Sequence, residues 1–157
     1  MPTRFTDLVG PEDLLLPLEA ADKWEAIDTL LHHAEKRGHF EKSSFGRYRE
    51  AVLARERSMS TGMERGIAIP HAAVDGLSKL VGVMGVAKRP GGLAFDSIDA
   101  QPTTLVVLLL VPRDQKLAHI RTLADIARLL SRDEVRTALL ECNSADGAWR
   151  VLRSADV

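Results

Sequence analysis

The chain has 157 residues, of which 45% are hydrophobic and 27% charged, a composition typical of one globular domain with a substantial core. Its formal net charge of −1 excludes the broad positive field expected of a nucleic-acid-binding protein, and its single cysteine, Cys142, excludes an internal disulfide framework. The N-terminal residues lack an apolar signal core, and the longest apolar run, 105–111, is too short to span a bilayer. We therefore expect one cytoplasmic domain over residues 1–157, without stable membrane insertion, a nucleic-acid partner, a metal or another cofactor.

The first third of the chain predicts an edge strand and then a helix. Pro17 interrupts the apolar run 14–18, and a proline inside a strand is typical of a sheet edge. Asp22 and Glu25 form a capping-box pattern that begins a helix, and Gly38 ends it. The apolar residues at helical spacing between them are Trp24, Ile27, Leu30, Leu31 and Ala34.

A second helix follows and carries the first candidate site residue. Ser43 or Ser44 can cap this helix. Its buried stripe consists of Phe45, Tyr48 and Val52. Arg55 continues the stripe one turn later, so we expect its side chain to point toward the protein body or a cleft.

Three apolar segments in the middle of the chain predict strands. Residues 67–69 form a short one that Pro70 ends, which leaves His71 just past the strand end. Residues 80–87 are mostly apolar and predict a buried strand. The strongest strand pattern is 103–111, which we expect at the centre of the sheet.

The last third of the chain predicts three helices. Residues 115–131 carry a wide apolar stripe that includes Leu117 and Ile120, and His119 lies in the first turn on the side shared with Leu123. Shorter helices are predicted over 133–140 and after Ser144. Helices and strands do not alternate strictly, so the pattern favours an α/β fold with a mixed β-sheet flanked by helices on both faces.

Arg55, His71 and His119 form the candidate functional set. A histidine nucleophile, an arginine that can pair with phosphate oxygens and a second histidine donor suit phosphoryl transfer. Each residue also has an ordinary interpretation: His71 as a loop residue, Arg55 as a cation at a helix C-terminus, and His119 as a core histidine. The spacing in the chain does not choose between these interpretations.

Other chemistries have weaker support. Zinc binding through His32, His33 and His39 lacks the usual ligand spacing, and the region around Gly91 and Gly92 lacks the glycine pattern of a phosphate-binding loop. Cys142 has no flanking cation that would activate it. These observations leave the histidine set as the best candidate.

The stretch Gly66-Ile67-Ala68-Ile69-Pro70-His71 resembles the active-site signature of the type 2 (fructose/mannitol) enzyme IIA domains of the bacterial phosphotransferase system. The resemblance extends from about Leu14 to Leu152. Further matching segments are Arg55-Glu56, Ser60-Thr61-Gly62, 95–102, 109–112 and His119-Ile120. The family fold, a mixed sheet flanked by helices, agrees with the pattern above.

The resemblance implies a role for each matching residue. His71 would be the phosphorylated nucleophile, Arg55 the phosphate contact and His119 a supporting donor. Thr61 and Gly62 would belong to a loop whose amides and threonine hydroxyl receive the phosphoryl group. The family often has Gly after the active histidine, where this chain has Ala72, a small change that leaves the chemistry intact.

The resemblance also implies partners. The donor would be the histidine-containing phosphocarrier protein, and the recipient an enzyme IIB or a regulatory protein target. The sequence carries no attached IIB cysteine domain, so we expect a nitrogen-regulatory enzyme IIA, with a sugar-specific enzyme IIA as the alternative; a binding module without phosphorylation fits less well. Met59, Met63 and Leu77 are candidates for an exposed docking rim, with burial in the core as their other interpretation.

Overall fold

A computed structural model describes residues 4–88 and 90–156, and it contains a mixed β-sheet with helices on both faces. The strands are β1 (Leu14–Leu15), β2 (Ile67–Ala68), β3 (His71–Val74), β4 (Val81–Val86) and β5 (Leu105–Pro112). The helices of the described residues are α1 (Phe5–Leu8), α2 (Lys23–Lys36), α3 (Phe45–Ser58), α4 (Lys116–Leu130), α5 (Asp133–Glu141) and α6 (Ala145–Ala155). The predicted fold class is confirmed.

The central strand is β5, as its apolar sequence predicts. All eight of its residues are buried. It pairs antiparallel with β4 on one side and parallel with both β2 and β3 on the other, while β1 pairs with β4 at the edge. A strand with neighbouring strands on both edges and helices on both faces exposes no side chain to solvent, which explains its continuous apolar run.

Side chains of β5 alternate between two cores. Val106, Leu108 and Leu110 face the core built with α2 and α3, whereas Leu105 and Val107 face the core built with α4, α5 and α6. This is the period of two that an extended strand imposes. The alternation places α3 and α4, which carry the candidate residues, on opposite faces of the sheet.

Two helix N-termini are capped as the sequence predicts. The Asp22 side chain accepts a hydrogen bond from the backbone N–H of Glu25, and the Ser144 hydroxyl oxygen accepts one from Gly147. Such caps satisfy donors that a helix start otherwise leaves unpaired. None of the helices in residues 4–88 and 90–156 combines the length and the apolar composition needed to cross a membrane.

The short strand β2 does end before Pro70, as predicted, but a further strand, β3, begins directly after Pro70. The carbonyl of Pro70 accepts a hydrogen bond from Leu109 N at 3.0 Å, and His71 is the first residue of β3, opposite Leu109. A proline lacks an N–H but keeps an acceptor, so the segment can continue along β5 with one donor missing. His71 is therefore held by a strand rather than by a loop.

Some residues predicted in buried stripes are exposed. Trp24 lies at the surface, where Lys23 Nζ is 4.9 Å from its ring centroid. Leu117 and Ile120, in the predicted stripe of α4, are 60% and 65% exposed. A helix packed on a sheet buries only the side chains that face the sheet, and Leu117 and Ile120 lie outside that face.

Candidate functional site

The candidate site is a cavity of about 220 Å³ between the end of α3, the start of β3 and α4. It is lined by Arg55, Ser60, Thr61, Gly62, Met63, Ile69, His71 and Leu123. A larger cavity of about 450 Å³, formed by the loop 91–102, has no histidine or arginine among its described lining residues. The smaller cavity is thus lined by two of the three candidate residues, Arg55 and His71, whereas His119 is not among its described lining residues.

The imidazole of His71 is held in one tautomer. Its Nδ1 lies 2.7 Å from the carbonyl oxygen of Ile69, and because a carbonyl only accepts hydrogen bonds, Nδ1 carries the proton. Burial lowers the pKa of His71 below its ordinary value, and the nearby Arg55 charge lowers it further, although the Ile69 bond and Glu56 act in the opposite direction. At neutral pH the ring is neutral, with a lone pair on Nε2.

His119 stands beside His71. It belongs to the first turns of α4, and the two ring centroids are 5.1 Å apart with an edge-to-face angle of 67°. Burial lowers the pKa of His119, as do the positive charge that His71 carries when it is protonated and the charge of Arg55. Its Nε2 is shielded from solvent and has no hydrogen-bond partner among the residues that the structure describes. A buried ring nitrogen without a partner is uncommon and is available to a bound group.

Arg55 lies in the last turn of α3 and lines the cavity with His71. One of its terminal nitrogens donates to the backbone oxygen of Met59 at 2.7 Å, which stabilises the chain as it leaves the helix. A guanidinium has five N–H donors, so this bond leaves most of them for another acceptor. The positive charge also explains part of the lowered pKa of both histidines.

The loop that contains Thr61 and Gly62 makes hydrogen bonds within the protein. The Thr61 N–H and hydroxyl both donate to the carboxylate of Glu56, at 2.9 and 2.5 Å. The Thr61 hydroxyl hydrogen is therefore committed within the protein. The Gly62 N–H donates to Ser60 Oγ at 3.2 Å, and a Cβ at Gly62 would lie 3.0 Å from the backbone oxygen of Asp96, which explains why glycine is needed there.

Glu56 is the site residue whose role the sequence did not reveal. It is 2% exposed, and its oxygen also lies 3.4 Å from Lys23 Nζ. A carboxylate in the last turn of a helix opposes the helix dipole, and this unusual placement is the signal that could have identified it.

The three predicted rim residues have different surroundings. Met59 is 70% exposed and lies four residues after Arg55, which donates to its backbone oxygen. Met63 is half-buried in the cavity lining, and Leu77 packs against the core and lines a separate cavity with Val74 and Arg113. With Leu117 and Ile120, Met59 makes an exposed apolar set on the elements that carry Arg55 and His119; we call these three residues the apolar rim.

The other histidines have partners of their own. His33 Nε2 lies 2.7 Å from the backbone oxygen of Glu12, and His39 Nε2 lies 2.6 Å from Asp13 Oδ1. His32 stacks on Phe45 with ring centroids 4.4 Å apart. These contacts give the three residues local structural explanations and make them useful controls.

Comparison with known proteins identifies the family. Residues 8–155 match the model of the family described as phosphoenolpyruvate-dependent sugar phosphotransferase system, EIIA 2. The chain is 36% identical over 149 residues to a nitrogen regulatory protein of Bradyrhizobium diazoefficiens, covering 94% of each sequence. The chain belongs to this enzyme IIA family, whose members are phosphotransfer components.

Solved structures agree with this family. The nitrogen regulatory protein IIA-Ntr of Neisseria meningitidis superposes with a TM-score of 0.81 at 25% identity, over 94% of this chain and 97% of that one. The mannitol enzyme IIA of Escherichia coli, in its complex with phosphorylated enzyme IIB, gives a TM-score of 0.77 at 26% identity, over 93% and 97%. Both the regulatory and the sugar-specific branches therefore contain relatives of this chain.

Proposed function

We propose that this protein is a phosphohistidine carrier that accepts a phosphoryl group on Nε2 of His71 from the histidine-containing phosphocarrier protein. The observation that carries the proposal is the 2.7 Å contact of His71 Nδ1 with the Ile69 oxygen. It keeps the proton on Nδ1 and the nucleophilic lone pair on Nε2. That lone pair forms the new P–N bond, and the electron pair of the donor's P–N bond returns to the donor nitrogen.

Arg55 and His119 supply the stabilisation that transfer requires. Negative charge on the phosphoryl oxygens faces the guanidinium of Arg55. The Nε2–H of His119 would donate to one of these oxygens, which gives that nitrogen the partner that it lacks among the described residues. One cation and one neutral donor hold a phosphoryl group weakly. Weak holding suits a carrier, because the group must leave again.

The apolar rim gives a docking surface for the donor and the recipient. Its residues Met59, Leu117 and Ile120 are 60 to 70% exposed, and the exposed Lys116 and Arg121 flank the two on α4. Apolar contacts with surrounding positive charge suit partners that present a phosphorylated, anionic residue. The complex of the mannitol relative with phosphorylated enzyme IIB supports such a recipient.

We place the carrier in the nitrogen-regulatory branch, so that its phosphorylation state would control regulatory protein targets. The support is the Bradyrhizobium relative, at 36% identity over 94% of both chains. The alternative is a sugar-specific enzyme IIA of the fructose/mannitol type, which the mannitol relative favours. Either role uses phosphoenolpyruvate as the ultimate donor, so the proposal includes a cytoplasmic location.

The phosphorylation test uses the purified protein with phosphoenolpyruvate, enzyme I and the phosphocarrier. We expect intact-mass analysis to find one added phosphoryl group that is labile in acid and stable in base. His71→Ala should abolish it, and His32→Ala, which alters a surface stack, should leave it unchanged. An unmodified wild-type protein, or full labelling of the His71→Ala variant, would contradict the carrier proposal.

The branch test compares recipients. Phosphorylated wild-type protein is mixed with purified enzyme IIB proteins of the source organism, and transfer of label is measured. In parallel, capture with unphosphorylated protein and with His71→Ala, which stays unphosphorylated, is compared with capture by the phosphorylated form. State-dependent capture of a regulatory protein without label transfer supports the regulatory branch, and rapid label transfer to an enzyme IIB supports the sugar branch.

A further inference from the structure

The buried carboxylate of Glu56 joins three separate parts of the site. It accepts two hydrogen bonds from Thr61, through the backbone N–H at 2.9 Å and the hydroxyl at 2.5 Å. It also lies 3.4 Å from Nζ of Lys23, on α2. Since the side chain of Glu56 is only 1% exposed, these contacts replace its hydration. The carboxylate thus ties α2 and α3 to the loop that lines the cavity.

A continuous line of hydrogen bonds leads from Thr61 to His71. The backbone oxygen of Thr61 accepts a hydrogen bond from Ile69 N at 3.2 Å. Two residues later, Met63 N donates to the backbone oxygen of Ile67 at 2.7 Å. This segment, 61–63, lies antiparallel to 67–69, with a bridge between Gly62 and Ala68. The N–H of Ile69 donates to Thr61, and the carbonyl oxygen of Ile69 accepts from His71 Nδ1.

We propose that Glu56 is a positioning residue for the phosphoryl acceptor: by fixing Thr61 it holds segment 61–63 against the Ile69 peptide, which in turn sets the tautomer and orientation of the His71 ring. The inference rests on the proposed function of His71 and deepens it. Glu56 does not touch the reacting atoms. It acts through the backbone of Thr61 and Ile69. Carboxylates that do not contact the substrate orient catalytic histidines in a similar way.

Helix stability alone does not account for a carboxylate at this position. In the last turn of α3 a negative charge meets the negative end of the helix dipole, and burial adds a desolvation cost. Lys23 offsets part of that cost from α2, and its ammonium also lies 5.9 Å from the ring centroid of Phe95. The two donors of Thr61 supply the rest, so the charge is retained where it organises the loop.

The test uses Glu56→Gln, Thr61→Val and Thr61→Ser in the full chain. Glu56→Gln removes the charge and one acceptor, Thr61→Val removes only the hydroxyl, and Thr61→Ser keeps both donors. The matched control is Glu50→Gln on the same helix, because Glu50 is exposed and pairs with Arg57 at 2.8 Å on the surface. Thermal unfolding of each variant shows whether it is folded.

The decisive measurement is the nitrogen NMR spectrum of the imidazole rings as a function of pH, which reports tautomer and titration. For wild type we expect His71 as the Nδ1–H form. For Glu56→Gln we expect part of the His71 population to adopt the other tautomer, Nε2–H. We also expect the pKa of His71 to fall further, because the Glu56 charge is gone, and phosphorylation to slow about 10- to 100-fold. Thr61→Ser should keep the wild-type tautomer, Thr61→Val should fall between wild type and Glu56→Gln, and the exposed control Glu50→Gln should match wild type.

The outcomes separate this proposal from the carrier proposal. A folded Glu56→Gln with an unchanged His71 tautomer overturns the positioning role, even if its phosphorylation is slow. A wild-type protein that is never phosphorylated overturns the carrier function, while the NMR comparison still decides the role of Glu56. If Glu56→Gln is unfolded, Thr61→Val and the double variant Lys23→Met with Glu56→Gln, which leaves no unpaired buried charge, provide the same comparison.

Discussion

Replacing His119 by methionine should stabilise the protein and slow its phosphorylation. The Nε2 of this residue is buried without a partner in the described part of the chain, so the folded state pays to desolvate it. Methionine is apolar, flexible and close in size, and it keeps contact with the His71 ring. The substitution therefore removes a cost to folding together with a donor that phosphoryl transfer needs.

The two effects have estimable sizes. A buried, unsatisfied polar group costs about 1 to 3 kcal/mol, so the free energy of unfolding should rise by about 1 kcal/mol after some loss of ring packing. For a chain of this length that corresponds to about 2 to 4 °C in Tm. A hydrogen bond to a charged group contributes about 1.5 to 3 kcal/mol, so transfer to His71 should slow about 10- to 150-fold.

The assay pairs calorimetric unfolding with phosphorylation kinetics on the same preparations. His33→Met is the matched control, because His33 Nε2 has its partner, the Glu12 oxygen at 2.7 Å. This control should lose about 0.5 to 1.5 kcal/mol and keep its phosphorylation rate, the reverse of the active-site variant. His119→Gln should recover part of the rate, since its amide can donate.

A lower Tm for His119→Met would refute the view that its Nε2 is an unsatisfied group in the folded protein. An unchanged phosphorylation rate would remove His119 from the transfer step. Because the two readouts are independent, either statement can fail without the other.

Three further predictions concern charge, pH and packing. Arg55→Ala should slow phosphorylation about 100-fold with the fold intact, and Arg55→Lys should recover part of the rate; wild-type kinetics in Arg55→Ala would exclude it from the site. Because the pKa of His71 is lowered in the folded state, the unfolded chain binds more protons in mildly acidic solution. The contribution of His71 to the free energy of unfolding should be fully present above about pH 6.5 and should be lost as the pH falls through the folded pKa. Unfolding curves at several pH values should show a smaller loss for His71→Ala. Gly85→Ala should lower the free energy of unfolding by about 1 to 3 kcal/mol, since its Cβ would lie 2.7 Å from Leu18 Cδ2. Gly46→Ala, with open space around it on α3, should raise it by about 0.5 to 1 kcal/mol. Similar urea midpoints for the two variants would contradict this difference.

Much of the fold was readable from local patterns. The apolar run at β5 predicts a central strand, and Asp22 and Ser144 predict helix starts that the structure confirms. These features depend on residues within a few positions of one another, or on the period that a strand or helix imposes. Exposure was harder: Leu117 and Ile120 fit the apolar stripe of α4 but lie on its outer side, because only packing against the sheet decides where a stripe ends.

By itself, the sequence determined the family signature around His71 and the mixed α/β class, and it gave the set of Arg55, His71 and His119 that we propose for the chemistry. Only the tertiary structure decided that the rings of His71 and His119 are 5.1 Å apart and that Ile69 holds the Nδ1 proton. It alone also gave the Thr61 donors to Glu56. The physical reason is that a hydrogen bond depends on sub-ångström positions set by the packing of α3, β3 and α4, and separation along the chain carries no such information.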